Sequence, residues 1–302
     1  MQFKRVKKNI NGILLLDKPL GFSSNQALQR VKWLLQAAKA GHTGTLDPLA
    51  TGLLPLCFGE ATKFAHYLTD ADKTYRATIK LGVTTTTGDA EGAVLNTLPV
   101  NVTSNQFDEA CRKFVGVISQ VPPMYSALKH EGKALYEYAR EGVEIERKVR
   151  TVTIHAIEVL SFAGDVAEIE VTCTKGTYIR TLAEDIGVDL GCGAHLIGLR
   201  RTATASYDIA EAITLEAFEA LSSEERLAKL APPETAVDYL PSVMLDADSA
   251  FYLMQGQAVW RSGNILVGLL RLYDERNVFL GLGEQQSDGK IAPKRLMQQV
   301  NN

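Results

Sequence analysis

The chain has 302 residues, of which 46% are hydrophobic and 22% charged, and its formal net charge at pH 7 is −3. This length and composition predict a globular protein, in one large domain or in a main domain with a small one, and they exclude a disordered chain. There is no window of about 18 apolar residues and no apolar stretch after the basic N-terminus, so neither a membrane span nor a secretory signal is expected.

An amphipathic helix is the first element that the pattern predicts. It begins with Ser23 or Ser24 as its N-cap and ends near Gly41. Its apolar face is formed by Leu28, Val31, Leu35 and Ala38.

Period-two alternation then predicts half-buried strands. In "KTYRATIKLG" Tyr75 and every second residue after it face one way. Two further strands, "TVTIHAIEVL" and "AEIEVTCT", are joined by "SFAGD", which is typical of a hairpin turn.

Two more helices complete the main part of the chain. "TSNQFDEACRKFVG" has a capping box between Thr103 and Gln106. "TYIRTLAEDIGVDLG" has apolar residues at helical spacing and ends before Gly191. Hairpin-linked strands with inserted helices predict an α+β fold on a mainly antiparallel sheet, and the absence of strict βαβ alternation disfavours a Rossmann fold.

The C-terminal part of the sequence has a different composition. Residues 211–248 hold nine acids and two bases, and the paired prolines of "APPET" at 231–235 are typical of a domain boundary. The segments that follow are "SAFYLMQGQAVW", "ILVGLLRLYDERNVFLGLGE" and "KIAPKRLM", and they predict a small strand-rich module. We therefore divide the chain into a main domain over 1–240 and a terminal module over 241–302.

The remainder of the chain carries a net charge of +4, because the acidic stretch contributes −7 to the total of −3. Basic residues cluster at Lys4–Lys8 and around Lys129–Arg150. Either a basic face that contacts an anion or ordinary solvated charge fits these clusters. The four cysteines lie far apart, which predicts reduced thiols and a cytoplasmic location.

Metal and phosphate-loop sites are disfavoured by spacing. Cys192 and His195 have a C-x-x-H spacing, but no second pair completes a zinc set. "GHTGT" lacks the GK[ST] ending of a P-loop and does not match GxGxxG, and no GxSxG elbow occurs. We expect no metal site.

The segment "GHTGTLDPLATG" contains a single acid, Asp47, directly before Pro48. One interpretation is a turn acid that bonds its own backbone. In the other, the flanking leucines desolvate the carboxylate and raise its pKa, so that it needs a cation to stay ionised. Arg180, in "KGTYIRTL" at a predicted strand-to-helix transition, is a candidate for that cation.

Five sequence motifs follow one another along the chain: "NGILLLDKPLGFSS", "GHTGTLDPLATGLLP", "DKTYRATIKLG", "KGTYIRTLAEDIG" and "AHLIGLRRTATASY". Together they closely resemble the bacterial tRNA pseudouridine-55 synthases of the TruB family. The resemblance extends from about residue 9 to 210 and is weaker beyond. It implies a pseudouridine synthase fold, in which a mixed sheet surrounds a central cleft, with a PUA-like C-terminal module and no cofactor.

The resemblance also implies an activity, the conversion of a uridine in the T loop of tRNA to pseudouridine. Position by position, Asp47 matches the family's catalytic aspartate and Arg180 the arginine that pairs with it. Lys18 and Pro19 match a motif that is mainly structural in the family. The resemblance does not decide whether the aspartate attacks C1′ or removes the 2′ proton to give a glycal.

Four further residues match positions that contact RNA in the family. Tyr75 matches an aromatic residue that packs on the target base, and Tyr178 and Leu199 match residues that line the uridine pocket. His42 matches a histidine that fills the gap left by the flipped nucleotide. Extrusion of that nucleotide costs a few kcal/mol, part of which stacking would offset.

Residues 124–150 resemble the family's insertion that closes over RNA. Lys129, Lys133 and Arg140 could then meet phosphates, although an exposed charged helix is the alternative interpretation. The family implies tRNA, through its T stem-loop, as the partner, with no membrane and no obligate protein partner, and a monomer. Two other functions stay open: an RNA-folding protein with secondary or lost catalysis, and a relative that depends on a guide RNA.

Overall fold

The structure is a computed structural model, and it describes residues 7–260 and 268–298. Residues 4–6 of the basic N-terminal cluster and residues 261–267 and 299–302 of the predicted terminal module lie outside the described residues.

Strands and helices alternate irregularly along the chain. The strands are β1 (Gly12–Lys18), β2 (Ala40–His42), β3 (Ala50–Phe58), β4 (Lys73–Leu81), β5 (Val83–Thr85), β6 (Val94–Thr97), β7 (Gly116–Gln120), β8 (Lys129–His130), β9 (Lys133–Ala134), β10 (Arg150–Ala163), β11 (Val166–Cys173), β12 (Ala194–Thr204), β13 (Tyr207–Asp208), β14 (Ile213–Thr214), β15 (Ser242–Met244), β16 (Val259–Trp260), β17 (Leu269–Tyr273), β18 (Phe279–Gln285) and β19 (Lys290–Leu296). The helices are α1 (Ser24–Leu35), α2 (Ala65–Asp70), α3 (Ser104–Lys113), α4 (Leu135–Arg140), α5 (Ile179–Asp189), α6 (Leu215–Ala220), α7 (Ser223–Ala228) and α8 (Ala247–Met254). Short 3₁₀ helices cover Gly59–Lys63, Ile209–Glu211 and Pro233–Val237.

One large sheet organises the main part of the chain. Its strand order is β14-β1-β3-β12-β4-β11-β10-β7, with β2 paired to β3 and β13 to β12. The pairs β1–β14 and β3–β12 are parallel and the other pairs are antiparallel. The predicted α+β fold on a mainly antiparallel mixed sheet is therefore confirmed.

Strand β3 is buried on both faces of this sheet, which its nearly uninterrupted apolar sequence requires. Leu54, Leu56 and Phe58 face a core shared with α1, α3 and α5, whereas Leu53 and Cys57 face a second core on the opposite side. The central strands are thereby fixed on both faces. The four cysteines are all buried and free.

The terminal module is a second sheet with strand order β15-β17-β18-β19-β16 and an apolar core of its own. It packs on the main sheet through Phe279, whose ring lies 5.5 Å from that of Phe64 between centroids. The predicted strand-rich module is therefore confirmed, although its segment "SAFYLM" lies in a helix, α8 (Ala247–Met254). Asp246 starts this helix by accepting a hydrogen bond from the Ser249 amide.

Several predicted elements have the expected bounds and others are shorter. The capping boxes at Ser23 and Thr103 are present, and β4 buries alternate residues from Tyr75 as predicted. Helix α1 ends at Leu35 and not near Gly41. Gln36 takes the left-handed conformation (φ 57°), so its amide closes the last turn and Ala38 lies outside the helix.

The hairpin between β10 and β11 is also tighter than predicted. Strand β10 continues through Ala163, and the turn is confined to Gly164, with φ of 64°, and Asp165. None of the helices in the described part of the chain combines the length and hydropathy of a membrane span.

Candidate active site

Asp47 lies in the loop over residues 43–49 that joins β2 to β3. The loop is fixed by the β1–α1 connection. The Ser24 hydroxyl accepts from the Leu46 amide at 2.7 Å and donates to its carbonyl at 3.0 Å. The Gly21 amide donates to the Pro48 carbonyl at 2.9 Å. This rigid backbone holds the Asp47 carboxylate on the wall of a cleft of about 710 Å³.

Arg180, in the first turn of α5, lines the same cleft and contacts Asp47. Its Nη2 lies 3.0 Å from Asp47 Oδ2 and donates to the Tyr125 carbonyl at 2.6 Å. Its Nη1 donates to the Thr87 carbonyl at 3.1 Å and to Asp89 Oδ2 at 3.2 Å. The buried guanidinium is therefore held by four acceptors from three separate segments. The Asp47 carboxylate contacts Arg180, as the catalytic interpretation requires.

Asp89 is a site residue that the sequence reasoning missed. It is buried in the turn over 86–93, and its Oδ1 accepts from the Thr87 hydroxyl at 2.5 Å and from the Glu91 amide at 3.0 Å. Its other oxygen binds Arg180. The only local signal is an acid in the threonine-rich turn "TTTTGDAEG", which is also typical of any surface turn.

Charge and burial together shift the pKa values of this site. Burial raises the pKa of Asp47, and Asp89 adds to that rise, while Arg180 and Lys18 oppose it. Burial also raises the pKa of Glu184 to about 7, with further contributions from Asp185 and Asp89 against Arg180. Burial and neighbouring acids thus both oppose the ionised forms of Asp47 and Glu184, and Arg180 favours them.

Two lysines close to the site are also buried. Burial lowers the pKa of Lys18 to about 8, with Asp47 opposing the shift, and its ammonium donates to the Phe22 carbonyl at 2.5 Å. Burial likewise lowers the pKa of Lys73 to about 8, and its ammonium donates to the carbonyl groups of α2 and of Ala71. Both lysines thus fix backbone around the cleft.

Tyr75, Tyr178 and Leu199 line the same cleft as Asp47 and Arg180. Tyr75 comes from β4 and Leu199 from the adjacent β12, and Arg201 lies opposite Tyr75 in the register of the two strands. Arg201 is buried, and its Nε donates to the Leu53 carbonyl at 2.7 Å. Burial raises the pKa of Tyr75, while Arg201 opposes the rise, so the phenol stays neutral.

His42 lies in β2 and does not line the cleft, although the Asp47 loop follows it directly. Its Nδ1 is buried without a partner among the described residues. Burial lowers the pKa of His42, and Arg201 lowers it further, which favours the neutral imidazole. A neutral half-buried ring beside the Asp47 loop is suited to stacking on bases.

Lys129, Lys133 and Arg140 lie on the insertion, which forms the hairpin β8–β9 followed by α4. Lys133 pairs with Glu141 at 2.6 Å, and Arg140 lies over the Tyr136 ring at 5.4 Å. None of the three lines the cleft. The charged groups that do are Lys73, Arg150, Lys175, Arg180, Arg201 and Asp47. The cleft is therefore strongly cationic around one carboxylate.

The C-x-x-H pair is structural. Cys192 and His195 are both buried, and His195 Nδ1, near the start of β12, lies 2.9 Å from the carbonyl of Val83 in β5. Over residues 7–260 and 268–298, no group of three or more acidic, histidine or cysteine side chains could hold a metal.

Comparisons with known proteins agree along the whole chain. The family model described as TruB family pseudouridylate synthase (N terminal domain) matches residues 32–179. Two C-terminal models of the same family match residues 180–252 and 241–297. The tRNA pseudouridine synthase B of Methylobacillus flagellatus is 64% identical over 99% of both chains. The enzyme of the same name from Aromatoleum aromaticum is 54% identical over 99% of this chain and 96% of its own.

Solved structures share the fold. A chain in the crystal structure of a Cbf5–Nop10–Gar1 complex is 28% identical, with a TM-score of 0.72, and the match covers 95% of this chain and 84% of that one. A chain in an H/ACA ribonucleoprotein bound to substrate RNA has a TM-score of 0.73 at 22% identity and covers 99% of this chain and 93% of its own, which shows the fold alone.

Proposed function

The chain belongs to the TruB family of pseudouridine synthases, and we propose that it converts uridine 55, in the T loop of tRNA, to pseudouridine. One observation carries the assignment of the site: the Asp47–Arg180 pair faces a cleft that Tyr75, Tyr178 and Leu199 also line. Among the described residues that line this cleft, no other is a carboxylate, so we assign Asp47 as the reacting group.

The reaction is an isomerisation and needs no co-reactant. The C1′–N1 bond breaks, uracil turns, and a C1′–C5 bond forms while C5 loses a proton and N1 gains one. Asp47 begins the reaction, either by attack on C1′ or by removal of the 2′ proton. Arg180 keeps the carboxylate ionised and oriented, and Tyr75 lies against the face of the base.

The target uridine must leave its stack to enter the cleft. His42 lies at the start of the Asp47 loop, where its ring can stack in the space that the uridine leaves. We assign a supporting role to Lys129, Lys133 and Arg140, which contact the RNA backbone from the insertion.

The test is to incubate a tRNA transcript with the purified protein alone and to map pseudouridine along the RNA. A single pseudouridine at position 55 of the T loop is expected. Modification at another position would contradict the site on the RNA. No modification unless a guide RNA or another protein is added would favour a guide-dependent relative, and tight binding without product would favour an RNA-folding protein.

We further propose that the protein acts in the cytoplasm as a monomer without an obligate protein partner. In this proposal residues 1–240 carry out catalysis, and the module over 241–302 makes a second contact with the RNA. Light scattering should give the mass of one chain, and limited proteolysis should cut near residue 240. A stable dimer, or cleavage only elsewhere, would contradict these two assignments.

A further inference from the structure

The N-terminus of α5 opens into the cleft without a cap. The N-cap residue Tyr178 has an extended backbone, and its side chain makes no capping hydrogen bond. The first turn of the 11-residue helix contains no acid. Since a helix N-terminus presents unpaired amides and partial positive charge, this end of α5 is suited to an anion. Tyr178 and Ile179 both line the cleft.

A buried hydroxyl on the same cleft also lacks a partner. Ser126 is 4% exposed, and its Oγ forms no hydrogen bond with any described residue. Its backbone is fixed, because the Tyr136 amide donates to the Ser126 carbonyl at 3.1 Å and the neighbouring Tyr125 carbonyl accepts from Arg180. A buried hydroxyl without a partner costs free energy, which an acceptor oxygen from a ligand would recover.

Arg150 supplies a cation beside these groups. Its guanidinium lies 5.6 Å from the centroid of the Tyr178 ring and beside Gly176, where an added Cβ would come within 3.2 Å of Nη1. Within residues 7–260 and 268–298 no carboxylate forms an ion pair with Arg150. Lys175 also lines the cleft, and its pair with Asp70 at 2.9 Å is half-exposed, so an anion can replace it.

We propose that the N-terminus of α5, Ser126 and Arg150 form a subsite for a phosphodiester group of the RNA strand next to the target nucleotide. The assignment rests on the proposed function, because RNA brings a phosphate on each side of the nucleotide that enters the cleft. Backbone amides, a hydroxyl and a guanidinium are the donors that phosphate oxygens prefer. Arg180 does not take this role, since four acceptors already hold its guanidinium.

The test measures the affinity of a T-arm stem-loop RNA as a function of salt. Arg150→Ala should weaken binding about tenfold and reduce the slope of log Kd against log salt by about 0.7, the value for one phosphate on a single strand. Lys113→Ala is the matched control, because it removes a cation paired with Asp189 at the opposite end of α5. An unchanged slope for Arg150→Ala, or an equal change for Lys113→Ala, would overturn the subsite.

A second arm changes the RNA and leaves the protein intact. A neutral methylphosphonate at one linkage beside the target uridine should weaken binding to the unaltered protein but add little to the loss in Arg150→Ala. Equal losses in both proteins at every linkage would contradict the contact. This arm measures binding alone, so it is separate from the mapping of pseudouridine that tests the proposed function.

Ser126→Ala should raise KM about threefold and leave kcat within about twofold, because the hydroxyl binds a group that does not react. Ser126→Thr, which keeps the hydroxyl, should restore part of the loss. A fall in kcat at unchanged KM would contradict the assignment to phosphate, since Ser126 would then contact the reacting base or ribose.

Discussion

Two carboxylates bind Arg180, one from the 43–49 loop and one from the 86–93 turn, and their surroundings differ. The side chain of Asp47 is 42% exposed, while that of Asp89 is 4% exposed. Asp89 also accepts from a hydroxyl and an amide of its own turn. The buried acid thus anchors the arginine, and the acid on the cleft is free to react on its open side.

The largest effect should come from Asp47→Asn. Because Asp47 is the proposed reacting group, pseudouridine formation should fall by at least about 1,000-fold, measured as a single-turnover rate on tRNA. The midpoint of thermal unfolding should stay unchanged or rise, since burial opposes the ionised carboxylate and Arg180 keeps its other acceptors. A wild-type rate in this variant would contradict the assignment of Asp47.

Arg180→Ala should come next, with a rate about 100-fold or more below wild type and a lower unfolding midpoint, because two carboxylates lose their cation. Arg180→Lys should recover only part of the rate, since an ammonium cannot reproduce the fork that spans both acids. Equal rates for the lysine variant and the wild type would show that charge alone is needed.

Asp89→Asn should mainly reduce stability. Removal of one member of a buried ion pair costs about 3–5 kcal/mol of unfolding free energy, which urea titration measures. Asp108→Asn is the control, because Asp108 pairs with Arg112 on the exposed surface of α3, where a change within about 1 kcal/mol is expected. If both variants lost the same free energy, Asp89 would not be an anchor.

The pH dependence of the rate sharpens the comparison. Since burial raises the pKa of Asp47 above its usual 3.8, the rate should fall on acidification at a midpoint above that value. Asp89 contributes to the rise, so Asp89→Asn should move the midpoint to lower pH. A midpoint that moves upward or stays in place would contradict the coupling of the two acids.

The smallest expected effect concerns Glu184, whose carboxylate lies against Gly88 in the Asp89 turn. Its folded pKa of about 7 exceeds the ordinary 4.5, so the folded protein binds more protons and stability falls as pH rises between these values. Glu184→Gln removes the ionisable group and with it this loss of stability. Its gain in unfolding midpoint should therefore grow from pH 5 to pH 8, whereas a pH-independent difference would contradict the shift.

Local sequence predicted the parts of the site that depend on periodicity. Alternation placed Tyr75 on the buried face of β4, and the spacing of apolar residues put Arg180 at the start of α5. Asp89 could not be found in this way, because its role depends on a contact with Arg180, 91 residues away along the chain. The end of α1 was missed for a related reason, since Gln36 takes a left-handed conformation that its side chain does not favour.

The assignment of Asp47 and Asp89 to different roles is tested most directly by a structure of the Asp47→Asn variant with a T-arm RNA. The distance to measure joins C1′ of the nucleotide in the cleft to the side chain at position 47. We expect uridine 55 out of its stack, with its C1′ or 2′ position within about 3–3.5 Å of that side chain and Asp89 still bound to Arg180. A ribose that lies closer to another acid, or an uridine 55 that remains stacked outside the cleft, would contradict the account.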